Sequence, residues 1–254
     1  MAQVEIKSAD EIARMREAGR IVCEILDELE RAVAPGVSTW DLDALAEKLI
    51  RAKGAKPAFK GYHGFPSCLC ASVNHEVVHG IPSSRRRLAE GDVVSIDCGV
   101  KLEGFYADAA VTLPVGAIGP EVTKLLETTR QSLQAGISEA HVGQRLGDIG
   151  AAIQEIADRA GYGIVRDLVG HGIGRSPHEE PQVPNYGRRG RGMPLEEGLV
   201  LAIEPMLNLG TPNVRTLADR WTVVTADRKV SAHFEHTVAI TAEGPRVLTP
   251  WRLD

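Results

Sequence analysis

Residues 171–181, HGIGRSPHEEP, and residues 198–205, GLVLAIEP, each have an earlier counterpart in the same chain. His79-Gly80-Ile81 matches His171-Gly172-Ile173, and LAEGDVVSID at 88–97 matches LEEGLVLAIE at 195–204. The ten-residue pair shares Leu, Glu, Gly, Val and Ile in register, with Asp97 opposite Glu204. Each copy is an apolar, β-branched run after a Glu-Gly turn signal, the pattern of a buried strand. Each ends in a carboxylate. Two half-units that both deliver an acid to a strand end predict a pseudo-symmetric fold with its site between the halves. This is a two-copy duplication, since a repeat array needs more copies at a short fixed period.

The chain has 254 residues, of which 43% are hydrophobic. That is enough to bury a full core, and one domain over 1–254 is expected. A net charge of −5 carries no signature of DNA or membrane binding. The basic runs at Arg85-Arg86-Arg87 and at 188–192 (RRGRG) lie beside Ser, Pro and Gly and read as solvated loops. Cys23, Cys68, Cys70 and Cys98 form no C-x-x-C pair, so neither a disulfide framework nor a zinc ribbon is expected. The first fifteen residues have no apolar signal-like core, and no apolar run approaches the roughly 20 residues of a membrane span. The expected setting is the cytoplasm, with thiols reduced.

Ser8 to Glu11 and Ser38 to Asp41 are capping boxes for two helices. The first carries its apolar stripe from Ile12 to Val33 and stops at Pro35-Gly36; the second runs through Leu42, Leu45 and Leu49 to about Gly54. Residues 61–66 read as a loop, 69–73 and 92–97 as strands, and Phe105 to Thr112 as a strand after a Glu103-Gly104 turn. Helices follow from Pro120 and from about Val142 to Ala160. Ile164 to Val169 reads as a strand delivering His171, 174–192 as a loop, and 199–204, 221–226 and 233–241 as strands. The class is α/β or α+β without a splitting linker.

His75-Glu76-Val77-Val78-His79 matches the zinc-protease signature H-E-x-x-H, which needs a helix so that both histidines reach one metal. Here the segment is β-branched and runs straight into Gly and Pro. On a strand, positions 75 and 79 are too far apart to chelate one ion. GHGIG at 170–174 places Arg175 where a dinucleotide loop needs its third glycine.

Asp97 and Asp108 sit at the ends of two strand-like runs joined by the Glu103-Gly104 turn, so a hairpin brings both to one edge. Glu204 in VLAIEPML and Glu235 in AHFEHTVAI are likewise acids inside apolar strand contexts. An acid in such a context is costly unless paired or metal-bound. Four such acids with His171 make a hard, oxygen-rich set with one imidazole. It suits Mn, Fe, Co or Zn in a two-metal site rather than a closed structural zinc site. Two such metals share a hydroxide nucleophile and polarise a carbonyl.

With YHGFPSCLCASVN, VVHGIP, DVVSIDCGV, GFYADAAVT, GHGIGRSPHEEPQVPNYG, LVLAIEPML and WTVVTADRKVSAHFEHTVAIT, the chain resembles the type I methionine aminopeptidases from about residue 8 onward. The resemblance implies an α+β "pita-bread" fold: a curved antiparallel sheet flanked by helices, with a central metal site. It implies two divalent ions (Co, Mn, Fe(II) or Zn) bridged by Asp108 and Glu235. Asp97 would chelate one, and His171 with Glu204 would complete the other. Glu204 would also be general base, His178 would hydrogen-bond the substrate carbonyl, and His79 would contact the scissile amide nitrogen or leaving amine. The methionine pocket would draw on Tyr62, His63, Phe65, Cys70 and Trp221, an aromatic-lined slot suited to a thioether. One departure is Pro177, since the residue before His178 is often aromatic in that family. The implied activity is removal of the initiator methionine from nascent chains with a small second residue. A monomer, with transient docking at the ribosome, is the family expectation.

The nearest alternative is a proline-specific peptidase of the same fold, whose histidine motifs differ from GRSPHEEPQVPNYG. A catalytically dead binding protein of that fold would have lost ligands, and all five are present here.

Overall fold

Ser8 Oγ accepts from the Glu11 amide at 3.3 Å, and Glu11 Oε2 accepts from the Ser8 amide at 2.8 Å. This reciprocal box starts α1 (Ala9–Ala32) in the computed structural model, which describes residues 4–252. The ends of the expected domain, 1–3 and 253–254, lie outside the described residues. The buried stripe of α1 runs through Ile12, Met15, Val22, Ile25, Leu26 and Leu29. Gly19 interrupts it because a Cβ there would stand 2.1 Å from the Leu248 carbonyl oxygen. Ser38 and Asp41 form the second box and open α2 (Thr39–Ala52).

Three short strands follow: β1 (Lys56–Pro57), β2 (Leu69–Val73) and β3 (Glu76–Val78). Next comes a long hairpin, β4 (Val93–Leu102) and β5 (Phe105–Pro114). Its two-residue turn, Glu103 and Gly104, has φ of 48° and 92°, the double positive φ of a tight hairpin loop. α3 (Pro120–Ser138) packs on α4 (Leu146–Ala160). The helix expected from about Val142 begins only at Leu146. Gly143 takes a φ of 88°, and Asp148 accepts from the Arg145 amide at 2.8 Å, so 141–145 form a turn and cap.

The remaining strands are β6 (Gly163–Ile164), β7 (Gly170–Gly172), β8 (Glu179–Val183), β9 (Val200–Ile203), β10 (Met206–Asn208), β11 (Val214–Thr216), β12 (Val223–Thr225), β13 (Ser231–His233), β14 (His236–Thr241) and β15 (Gly244–Val247). The strand expected over Ile164–Val169 is a correction: only its first residue joins a ladder, and 167–169 turn to line a cavity. The expected loop 174–192 contains β8, whose Glu-Glu-Pro-Gln composition hides it. The strand expected over 233–241 breaks at Phe234-Glu235, where the Glu235 amide leaves the ladder and donates to Ala110 O at 2.9 Å.

Among the described residues every strand ladder is antiparallel, which settles the class as α+β. The duplicated segments occupy equivalent places. β4 lies between β2 and β5, with α1 across β4 and β5. β9 lies between β7 and β14, with α3 packed on β9, β10 and β13. The matching turn glycines, Gly91 and Gly198, share φ values of 88° and 87°. The Arg runs are exposed, and Arg189 pairs with Glu139 and Glu155 at 2.8 and 3.0 Å, tying its loop to the α3–α4 pair.

Candidate active site

The hairpin register decides where the first two acids point. Asp97 pairs with Ala110 and Gly99 with Asp108, so the carboxylates are diagonal neighbours on one face. Both lie in the middle of ten-residue strands, not at the ends where sequence places them. In the other half, His236 pairs with Ile203, and Glu235 and Glu204 stand one step beyond that pair. His171, on β7, faces Ala202 of β9. The two halves thus bring all five expected ligands to one cavity. Ligand atoms of Asp108, His171 and Glu235 lie within 4.8 Å of one another. His171 Nε2 is 3.5 Å from Glu204 Oε1 and 3.9 Å from Asp108 Oδ2.

This cluster is poor in donors. His171 Nδ1 lies 2.9 Å from the Gly172 carbonyl, which only accepts, so Nδ1 carries a proton and Nε2 is the nitrogen that faces the acids. Asp97 Oδ1 is buried with no hydrogen-bond partner. Burial and mutual repulsion push Asp97 and Glu235 well above the usual carboxylate range. Burial raises Asp108 too, against the pull of His171 and Thr237. Burial, with Asp108 nearby, lifts Glu204 to about 8 despite His171. Lone pairs this close and this dry require either protons or a cation. Ligands about 2.1 Å from one ion stand about 3–4 Å apart, close to the spacing here, so the residues fit a divalent metal.

The supporting residues were not legible in the sequence. Thr237, on β14, accepts from the Asp108 amide at 3.1 Å, and its single hydroxyl proton is shared between Asp108 O at 2.8 Å and Oδ1 at 3.0 Å. Oδ2 of Asp108 is left facing His171. Thr112 donates to the His233 carbonyl at 2.9 Å and accepts from its amide at 2.8 Å, so Ser95 is the donor in their 2.8 Å contact. His233 is buried, its Nε2 makes no hydrogen bond, and it stands 3.5 Å from Glu204 Oε2. Burial pushes it down to about 4, so it is neutral.

Around the acids the cavity measures about 310 Å³ and is otherwise mostly apolar. Tyr62, Phe65, Cys70 and Trp221 line it as expected, together with Phe59, Val78 and Met206, which sequence did not single out. Phe65 meets Trp221 edge-on at 5.1 Å. Cys70 pairs with Asp97 in the β2–β4 ladder, and burial holds its thiol well above the ordinary range, hence protonated. His63, which the resemblance also gives to the pocket, stands apart from the cavity lining. It is exposed and touches the ring of Tyr62 edge-on at 4.3 Å. Pro177 is buried but also lies outside the lining; Tyr62 stacks on His178 at 5.1 Å instead.

His79 and His178 both line the cavity. His79 follows β3 with a φ of 59° and lies 6.4 Å from the Trp221 ring. Residues 76–78 are strand, so H-E-x-x-H is not a helical zinc motif, and His75 does not line the cavity. His178 is exposed at the mouth, its ring between Tyr62 and His171. Although the residue is exposed, desolvation of its partly enclosed ring first, then neighbouring imidazoles, hold His178 well below the ordinary histidine value; burial brings His79 to about 4.

Residues 13–242 match the model of metallopeptidase family M24. Methionine aminopeptidase of Clostridium acetobutylicum is 54% identical, over 96% of this chain and 98% of the relative. Methionine aminopeptidase 1 of Bacillus subtilis is 52% identical, over 96% and 98%. The crystal structure of the Thermotoga maritima methionine aminopeptidase superposes with a TM-score of 0.96 at 44% identity, covering 97% of this chain and 99% of that one. With its antiparallel halves and its acid-rich, metal-fitting cavity, this chain belongs to metallopeptidase family M24 and, within it, to the methionine aminopeptidases.

Proposed function

We propose that this protein removes the initiator methionine from nascent polypeptides, preferring a small second residue. The observation that carries this reading is the cavity itself, where a donor-poor cluster of acids shares about 310 Å³ with an aromatic and thiol-lined slot. That volume is at the small end of ligand pockets, suited to one side chain and its peptide link. We assign Asp97, Asp108, His171, Glu204 and Glu235 as the residues that would hold two divalent ions; Mn, Fe(II), Co and Zn would all suit this set. Bound there, the metal supplies Lewis acidity and a lowered water pKa.

Glu204 takes the proton of the attacking water and passes it toward the leaving amine. His178, neutral at the mouth, donates to the carbonyl oxygen as charge builds there, and His79 contacts the scissile nitrogen. Neutral imidazoles do this without competing with the metal for the carboxylates. The methionine side chain enters the slot of Tyr62, Phe65, Cys70 and Trp221, while His63 buttresses Tyr62. Residues 1–254 act as one monomeric catalytic domain in the cytoplasm, on chains emerging from the ribosome. Among the described residues no helix is long and apolar enough to cross a membrane.

The test is hydrolysis of Met-Ala-Ser against Ala-Pro-Ser. Methionine release that falls about 10²–10⁴-fold in Glu204→Gln is expected. Proline-dependent cleavage would move the protein to the proline-specific peptidases, and tight metal binding without cleavage would make it a binding protein.

A further inference from the structure

Among the described residues the His178 imidazole makes ring contacts with Tyr62 and His171 but no hydrogen bond, so its place depends on the backbone that carries it. That backbone is the loop 174–179. The Glu179 carboxylate closes the loop: Oε1 accepts from the amides of Arg175 at 2.6 Å and Ser176 at 3.0 Å, folding 175–178 over itself. Its other oxygen is held by Lys7, in the segment before α1. The pair is buried, with side-chain exposures of 3% for Lys7 and 9% for Glu179. Lys7 Nζ also donates to Glu5 O at 2.9 Å.

Both ends of this tether are fixed to the core. The Lys7 amide donates to Gly198 O at 2.8 Å, and the Gly198 amide donates to Ile240 O at 2.9 Å, so Lys7 is strapped to the start of β9. On the loop side, the Lys7 stem crosses Gly174, where a Cβ would lie 2.2 Å from Lys7 Cε; Gly174 O accepts from the Tyr106 amide on β5 at 2.8 Å. A cation and a carboxylate taken out of water this completely repay their desolvation only if the geometry is held.

We propose that Lys7 is a positioning residue for methionine release: through Glu179 it fixes the loop that places His178 in the cavity mouth. This rests on the role given to His178 above. A plain fold clamp would cost stability and would lower the rate regardless of what residue 178 is. A positioning residue acts only through His178.

The experiment is a double-mutant cycle on metal-loaded protein, with kcat and KM for Met-Ala-Ser, metal content and Tm measured for Lys7→Met, His178→Ala and the combination. Lys7→Met/Glu179→Gln is added because it leaves no lone buried charge, while the Gln oxygen still accepts from the two loop amides. Lys7→Met and the Lys7→Met/Glu179→Gln pair are expected to lower kcat about ten- to a hundredfold at unchanged metal content, with KM changed far less. In the His178→Ala background the Lys7 change is expected to lower kcat no further. The same fold loss in both backgrounds, or a lower Tm with kcat intact, would overturn the inference. His178→Ala at the wild-type rate would overturn the His178 role as well, whereas impaired His178→Ala with additive Lys7→Met would overturn this inference alone.

Discussion

Thr237→Val removes one hydroxyl, nearly without change of shape, from a fully buried position. Three contacts to Asp108 disappear: the amide donation at 3.1 Å and the shared proton to O and Oδ1 at 2.8 and 3.0 Å. The Asp108 amide is left buried and unpaired, which costs about 1–3 kcal/mol, and a hydrogen bond to a charged group contributes about another 1.5–3 kcal/mol. Because the hydroxyl proton is divided between two acceptors, we take the lower end of each range, about 2.5 kcal/mol in all. The loss has a second face: Oδ1 is no longer pinned, so Oδ2 loses its fixed aim toward His171. Partners of this kind change metal affinity by about 10–100-fold. Denaturant unfolding of the metal-free protein reads the first effect, and competition for Mn(II) or Co(II) against a chelator reads the second. Thr237→Ser, which keeps the hydroxyl, is expected to restore most of the affinity. Thr237→Val that loses stability but binds metal as tightly as the wild type would refute the positioning of Asp108 by Thr237.

Gly172→Ala would place a Cβ 2.2 Å from the Glu180 carbonyl oxygen, so β7 must move off β8 and take His171 with it; lower metal affinity and a lower Tm are expected, checked by the same competition assay and by thermal unfolding. Metal uptake near pH 6.5 is expected to release protons, because the empty cluster holds them, with Glu204 at about 8. Calorimetry in buffers of different ionisation enthalpy reads this, and the release should shrink as pH rises past 8. Burial of His236 lowers its pKa from 6.5 to about 4, so only the unfolded chain takes up the proton between those values. Stability is therefore fully present above about pH 6.5 and lost as pH falls toward 4, by up to about 3 kcal/mol for this residue at 1.36 kcal/mol per unit. His236→Gln should flatten the slope of metal-free stability against pH over that window.

Much of the fold was legible because it follows from local rules. The capping boxes of Ser8 and Ser38 and the Glu103-Gly104 turn appear where short-range chemistry puts them. The duplication of 88–97 in 195–204 placed Asp97 on one central strand and Glu204 just past the end of its counterpart. The four acids of the cluster stood out because acids in apolar strands are costly alone. What stayed hidden depends on partners distant in sequence. β8 forms because β7 supplies a ladder to a polar segment, and the break at Glu235 exists because Ala110 offers a carbonyl across the halves. Thr237 and Ser95 look like ordinary strand hydroxyls until Asp108 and Thr112 are beside them. His233 lay within a motif that carried the resemblance, yet no spacing rule points it at Glu204. His63 stands outside the cavity lining for a similar reason, since a loop residue's direction is set by the turn at Gly61 and Gly64, whose φ values are both 87°.

The most direct measurement is methionine release from Met-Ala-Ser by metal-stripped protein as Mn(II) or Co(II) is added back, with binding stoichiometry followed in parallel. No release before addition is expected, then activity rising with metal and binding that saturates at two ions per chain. In Asp108→Asn both binding and release should be lost. Full release by protein shown to hold no metal, or undiminished release in Asp108→Asn, would contradict the assignment of this cluster as the catalytic metal centre.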